Sequence, residues 1–156
     1  MKSSGNVTRQ PQIGQSWFAM AVHILALLAR SPEGYPSAYL AGSVNTHAVF
    51  LRKVVAHLVR AGLVVAQEGR EGGYRLARPA DQISLADVYR VMYAGGPLPP
   101  NPAEPNPLCE VGSGMRAALG EVASEVEQQM VRDLERHTIA EISDRAVLLG
   151  NFPNGR

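Results

Sequence analysis

Two short stretches of this chain concentrate the residue types that make close-range polar contacts. In "SVNTHAVFLRK", Asn45, Thr46 and His47 stand together, and Arg52 and Lys53 follow one and two turns later. The Asn side chain pairs a donor with an acceptor and matches an adenine edge. Thr reaches a base or a phosphate, and Arg can be bidentate to guanine or bind phosphate. Asn45 or Thr46 could equally do no more than cap a helix. In "GREGGYRLARP", Gly69 to Pro79, three glycines fill five positions beside Arg70, Arg75 and Arg78. A glycine cluster among arginines can cradle a phosphate, close a hairpin or reach into a DNA groove. The phosphate loop fails, because no Lys-Ser/Thr pair follows the glycines.

Other reactive residues form no catalytic constellation. Glu121, Glu125 and Glu127 lie close enough for acid–base pairing but read as a solvated helix face. The four histidines lack the i, i+4 spacing of a helical metal site, and no nucleophile elbow is present. His57 reads as a surface residue, His23 as packed in the first helix, and His137 as a helix terminator. The single cysteine, Cys109, excludes an intrachain disulfide and a cysteine-only zinc site within one chain. It is an inert or partly buried thiol, or else a redox sensor, and the adjacent Glu110 counts against reactivity. The chain is not read as an enzyme, and no metal site is expected.

The elements that must hold these residues follow from periodicity. Trp17, Met20, Ala21, Ile24, Leu27 and Leu28 recur at three- and four-residue spacing, which predicts a helix from Ile13. "SPEGYP" breaks it, and Ser37 is positioned to cap a short second helix. After the "SVNT" turn, a third helix runs from about His47 to Ala61, ended by Gly62. Phe50, Leu51, Val54, Val55, Leu58 and Ala61 form its inner face; His47, Arg52, Lys53, His57 and Arg60 lie outside with no acid among them. Leu63 to Gln67 and Gly73 to Ala77 read as strands of a hairpin with the glycine cluster at its tip. Ser84 caps a fourth helix with Leu85, Val88, Val91 and Met92 on its apolar face.

Residues 95–112 hold six of the chain's eleven prolines and form a long loop. A long helix then runs from about Ser113 to Arg136. Met115, Leu119, Val122, Val126 and Met130 advance by four, three, four and four, close to a coiled-coil seam. A rod of roughly 35 Å is too long for one small body to cover, so a second copy is expected on it. Thr138 with Glu141 opens a last helix to about Leu148. The domain plan is residues 1–12 as a disordered N-terminus, 13–94 as a winged helix-turn-helix, 95–112 as an effector loop, 113–148 as dimerisation helices and 149–156 as a flexible tail. The fold class is mainly α, with a two-stranded wing.

Charge agrees with this division. Residues 1–95 carry ten Lys and Arg against five Asp and Glu, a net of +5, whereas residues 96–156 carry five against nine, a net of −4. Only the first part is suited to a polyanion. No apolar run reaches the roughly 18 residues of a membrane helix, and the polar "MKSSGNVTRQPQ" start lacks a signal-peptide pattern. The expectation is a cytoplasmic protein with no membrane partner.

"SVNTHAVFLRKVVAHLVRAGLV" followed by "GREGGYRLARPADQISLADVYRVM" resembles the Rrf-two (IscR/NsrR/CymR) family of transcriptional regulators, in its YwnA-like branch. The resemblance runs from about Gly14 to Val147. It implies a homodimeric winged-helix regulator on an inverted-repeat operator, with the long helices crossing at the dimer axis. The best-known branches hold an iron–sulfur cluster in the loop before that helix through three cysteines; Cys109 alone departs from this, so no cluster is expected. A second departure is Ala48, where the YwnA-like pattern has proline.

The expected DNA-contacting residues are Ser37, Asn45, Thr46, His47, Arg52, Lys53, Arg70, Gly72 and Gly73. Of these Ser37, and beside them Tyr39 and Arg60, are weaker candidates for backbone contacts. Arg70 would enter a minor groove, and Gly72 and Gly73 would supply positive φ and backbone clearance. Partners are double-stranded DNA, a second copy and a small-molecule or redox effector. The leading function is a repressor; the alternative is a winged-helix module that binds a protein and has no operator.

Overall fold

One central helix organises the body. The computed structural model describes residues 13–70, 72–93 and 96–150. The expectations for residues 1–12 and 151–156 lie outside these. Helix α1, Ile13–Leu28, packs against the third, fourth and sixth helices and the second strand. Ala21, Ile24, Leu25 and Leu28 are fully buried. An almost unbroken apolar sequence is what a helix enclosed on several sides requires. His23, expected to pack near the core or an interface, is exposed in the single chain rather than in the core, and its Nε2 lies 3.2 Å from Ser43 Oγ.

Helices α2, Ser37–Ser43, and α3, Ala48–Arg60, are joined by a tight closure. The Asn45 N–H donates to Gly42 O at 3.2 Å, and the Thr46 N–H to Ala41 O at 3.0 Å. Asn45 itself has φ 51°. This is a Schellman ending, and Asn tolerates the left-handed position it needs. Neither Asn45 nor Thr46 therefore caps α3. His47 occupies that N-cap position and makes no side-chain cap bond. Ser37, expected as a cap, is instead the first residue of α2, behind Pro36. The far end of α3 closes in the same way. The Gly62 N–H (φ 71°) donates to Val59 O and the Leu63 N–H to Leu58 O. Leu58 and Leu63 are both buried, which supplies the apolar contact such endings use.

Leu51, Val54, Val55 and Leu58 form the buried face of α3. Phe50 is half-buried, and its ring meets Trp17 edge-on at 5.2 Å. Ala61, expected inside, is the exposed C-cap residue.

Strands β1, Val64–Gln67, and β2, Gly73–Leu76, pair antiparallel with Val64 opposite Leu76 and Gln67 opposite Gly73. A third segment joins them: Tyr35 and Tyr74 exchange both backbone hydrogen bonds, at 2.9 and 3.0 Å. A 3-10 turn at Ala80–Gln82, absent from the sequence expectation, leads into α4, Leu85–Met92.

The expected capping box of Thr138 with Glu141 forms on α6, Ile139–Leu149, and Ser84, expected as an N-cap, forms a full capping box with Asp87 on α4. The two helix starts lie side by side. The Leu85 N–H donates to His137 O, and the Ile139 N–H to Ile83 O. With Ile83 and Ile139 fully buried beneath, this bridge returns the chain to the body after its long excursion. Helix α6 reaches Leu149, into the segment expected to be tail. The Ser143 hydroxyl, buried against α1, donates to Ala26 O at 2.8 Å.

The excursion is α5, Gly112–Glu135, preceded by a proline loop without regular structure among its described residues. Arg116 straps the loop to the helix: its Nη2 lies 3.0 Å from Glu104 Oε1 and 3.4 Å from the carbonyls of Asn101 and Ala103. The other end of α5 packs on α4, where the Tyr89 hydroxyl donates to Glu127 Oε1 at 3.1 Å. Burial, and then the Glu127 carboxylate, push the Tyr89 phenol up to about 12. Glu127 is therefore half-buried in the α4–α5 joint rather than on a solvated face.

Candidate nucleic-acid interface

The outward surface of α3 is formed by Ala48, Val49, Arg52, Lys53, Ala56 and Arg60, all exposed. Its first turn contains no acidic residue and its N-cap makes no side-chain bond. The orphan N–H groups and the positive end of the helix dipole are thus left free for an anion. Among the described residues, no carboxylate lies within ion-pair distance of Arg52, Lys53, Arg60, Arg70 or Arg75. Arg52, Lys53, Arg70 and Arg75 make no side-chain hydrogen bond either among the described residues, whereas Arg60 holds Ala56 O at 3.2 Å and His57 Nδ1 at 3.4 Å.

The sequence-expected residues divide by exposure. Asn45 and His47 are exposed at the start of α3, with Arg52 and Lys53 exposed five and six residues after His47. Thr46 is half-buried and its N–H is consumed by the α2 closure. Ser37 is half-buried in the first turn of α2. Tyr39 is exposed, its ring stacked on Tyr35 with centroids 4.6 Å apart. His57 is not a free surface histidine, because its ring packs against Trp17 at 5.5 Å.

In the wing, Arg70 is exposed at the tip. The glycines beside it have a different reason from the one expected. Neither Gly72 nor Gly73 has positive φ; Gly69 does, at 114°. A Cβ on Gly73 would lie 2.3 Å from Tyr35 O, and one on Gly72 would lie 2.8 Å from Gln67 O. These two glycines make room for the protein's own backbone. Arg78 is not available either: its Nη2 holds Asp87 Oδ2 at 3.0 Å, the same oxygen that accepts the Ser84 N–H.

Sequence reasoning missed Val49. It lies just outside the apolar stripe that begins at Phe50, and it is 63% exposed in the first turn of α3. An apolar side chain there can touch a thymine methyl.

The loop before α5 fails the test for an iron–sulfur cluster on its donor set. Cys109 is exposed, and its Sγ accepts the Gly112 N–H at 3.3 Å. It is the chain's one cysteine, so two copies bring two thiolates where a cluster draws four ligands, mostly cysteine. Among the described residues, no three His, Cys, Asp or Glu side chains converge as a metal site.

Comparison with known proteins places this geometry. The Rrf2 family, described as iron-dependent transcriptional regulators, matches residues 15–145. The Bacillus subtilis protein YwnA, an HTH-type transcriptional regulator by name, is 33% identical over 127 residues, covering 81% of this chain and 94% of its own. Among solved structures, IscR of T. potens superposes with a TM-score of 0.64 at 22% identity, covering 90% of this chain and 92% of that one. CymR of B. subtilis, by name its global cysteine regulator, gives 0.56 at 24%, covering 84% and 95%. The structural likenesses concern the fold: helices with a two-stranded wing. The family match spans most of the chain, and the chain belongs to the Rrf2 family of winged-helix transcriptional regulators.

Proposed function

We propose that the protein is a homodimeric repressor of an inverted-repeat operator, acting on DNA in the cytoplasm. The observation that carries this reading is the outward face of α3, with its uncapped start and the partnerless cations Arg52 and Lys53. Docked as in other helix-turn-helix proteins, α3 lies in the major groove, with Asn45, Thr46, His47, Val49 and Arg52 toward base edges. Lys53 and the N–H groups at the start of α2, beside Ser37, bind phosphates. The wing reaches the flanking minor groove through Arg70. Gly72 and Gly73 shape that wing without touching DNA. Occupying a promoter excludes other proteins from it, so repression needs no further surface.

Dimerisation rests on α5. No residue of this 24-residue helix is buried within one chain. Met115, Leu119, Val122 and Val126 are exposed along one side, and Met130 is half-buried. Val126, Gln129, Met130, Asp133, Leu134 and His137 line a groove of about 520 Å³ that continues the seam. A second α5 fits there and places two α3 helices on successive major grooves. The dimer works without an iron–sulfur cluster, with Cys109 as the one thiol of each protomer, exposed to oxidants.

The test is binding to the selected operator across a salt series, for wild type and variants. Arg52→Ala weakens binding about 5–150-fold and relaxes preference at one base pair. Lys53→Ala lowers the salt slope by about one. Arg70→Ala weakens binding with altered preference at A·T flanks, and Arg78→Ala leaves affinity unchanged. Wild-type affinity and slope in Arg52→Ala and Lys53→Ala would refute the proposed docking.

A further inference from the structure

Between the proline loop and the first half of α5 lies a cavity of about 560 Å³. This falls inside the roughly 300–1,000 Å³ of small-molecule sites. Leu98, Pro99, Pro100 and Pro105 wall it on the loop side, and Leu119 and Ala123 on the helix. Two features hold it open. Arg116 is a strut: its guanidinium takes Glu104 and the carbonyls of Asn101 and Ala103, which fixes the loop relative to the helix. Proline locks φ, so the outer wall has little freedom to collapse inward.

The inner surface is apolar, and its charge is already matched. Arg116, the one charged residue of the lining, is paired with Glu104 at 3.0 Å. The Asn101 Oδ1 accepts the Ala103 N–H at 3.0 Å. A charged ligand would enter without a free counter-ion in the lining and would lose its hydration. Leu98 and Leu119, by contrast, are more than half exposed, and an apolar occupant would take that surface out of water.

Gly120 lines the same cavity. Glycine weakens a helix interior, yet the packing of the chain does not demand it here. A Cβ on Gly120 would meet no heavy atom within 4 Å among the described residues. The seam does not demand it either, since Gly120 and Val126, six residues apart, point about 120° apart around the helix. The missing side chain leaves space that the chain itself does not fill.

We propose that this cavity binds an uncharged, largely apolar small molecule. Its skeleton lies between the proline rings and the Gly120–Ala123 stretch of α5, against Leu98 and Leu119. Met115, Leu119 and Val122 border both the cavity and the seam, so an occupant would also touch the dimer interface. Every wall comes from one chain, and the proposal does not rest on the operator reading.

The experiment is fluorescence titration of the whole protein, without DNA, with N-phenyl-1-naphthylamine, an uncharged apolar dye that brightens out of water. The dye should saturate at one per protomer. Toluene should displace it, whereas benzoate and benzylamine, which carry a charge on the same ring, should displace it about tenfold or more weakly. Gly120→Leu and Ala123→Phe each place a large side chain in the cavity and should each weaken dye binding about tenfold or more, with helical circular dichroism unchanged. Gly120→Leu introduces a better helix former, so it decides the matter even if Ala123→Phe fails to fold. Absence of a saturable site, which a second copy packed into the cavity would produce, overturns the proposal. So does equal displacement by the charged compounds, or wild-type dye binding in either folded variant. Because no DNA is present, none of these results bears on the operator reading.

Discussion

Gly73 shows how one residue's role depends on what lies across from it. Its missing side chain admits the Tyr35 carbonyl, which would otherwise lie 2.3 Å from a Cβ. Gly73→Ala must push β2 off the Tyr35 segment. We expect a loss of about 1–3 kcal/mol in urea denaturation, as for other overpacked sites, together with weaker DNA binding as the wing moves. Unchanged stability would show that the wing tolerates the shift. A glycine-rich tip beside arginines was legible in the sequence, but its partner was not. Tyr35 lies far up the chain in a stretch that reads only as a helix breaker. That Asp87 holds Arg78 was unreadable for the same reason, since nothing local says so. Asn45 is the reverse case. Its type suited both base contact and a helix terminus, and the structure uses its left-handed backbone to end α2 while leaving its side chain exposed.

At the scale of elements, helices with strong periodicity or capping signals could be read from the residues. The N-cap at Ser84 and the capping box at Thr138 formed where the sequence predicted them, and Asp87 makes the first a box as well. Their mutual bridge was not readable, because it joins segments separated by the whole of α5. The α4 face was incomplete in the sequence reading, which passed over Tyr89; a tyrosine is buried only when a partner takes its hydroxyl, and Glu127 had been assigned to solvent. Helix α5 yields the sharpest prediction. Leu119 is 59% exposed in one chain, and burying that remainder in two copies is worth about 2–3.5 kcal/mol. Leu119→Lys should therefore raise the dimer dissociation constant about a hundredfold or more. In sedimentation velocity it should run as a monomer with unchanged helical circular dichroism. A variant that remains a dimer would remove α5 from the interface.

At the scale of the molecule, charge and apolar surface are segregated. Arg52, Lys53, Arg70 and Arg75, which make no ion pair among the described residues, lie on α3 and the wing, whereas the exposed apolar row lies on α5. Each protomer thus presents one surface suited to a polyanion and one suited to a copy of itself. A two-fold dimer built this way reads a two-fold DNA sequence, because the symmetry of the site mirrors that of the protein. The family likeness was carried by the α3 and wing sequences, where local pattern and function coincide. The central claim is most directly tested by incubating the protein with fragmented genomic DNA at near-physiological salt and sequencing what it retains. The account predicts enrichment of one inverted repeat, with half-sites about 10–10.5 bp apart or a multiple of that. Weak, uniform retention without a shared motif would contradict it and favour a winged helix that binds a protein instead.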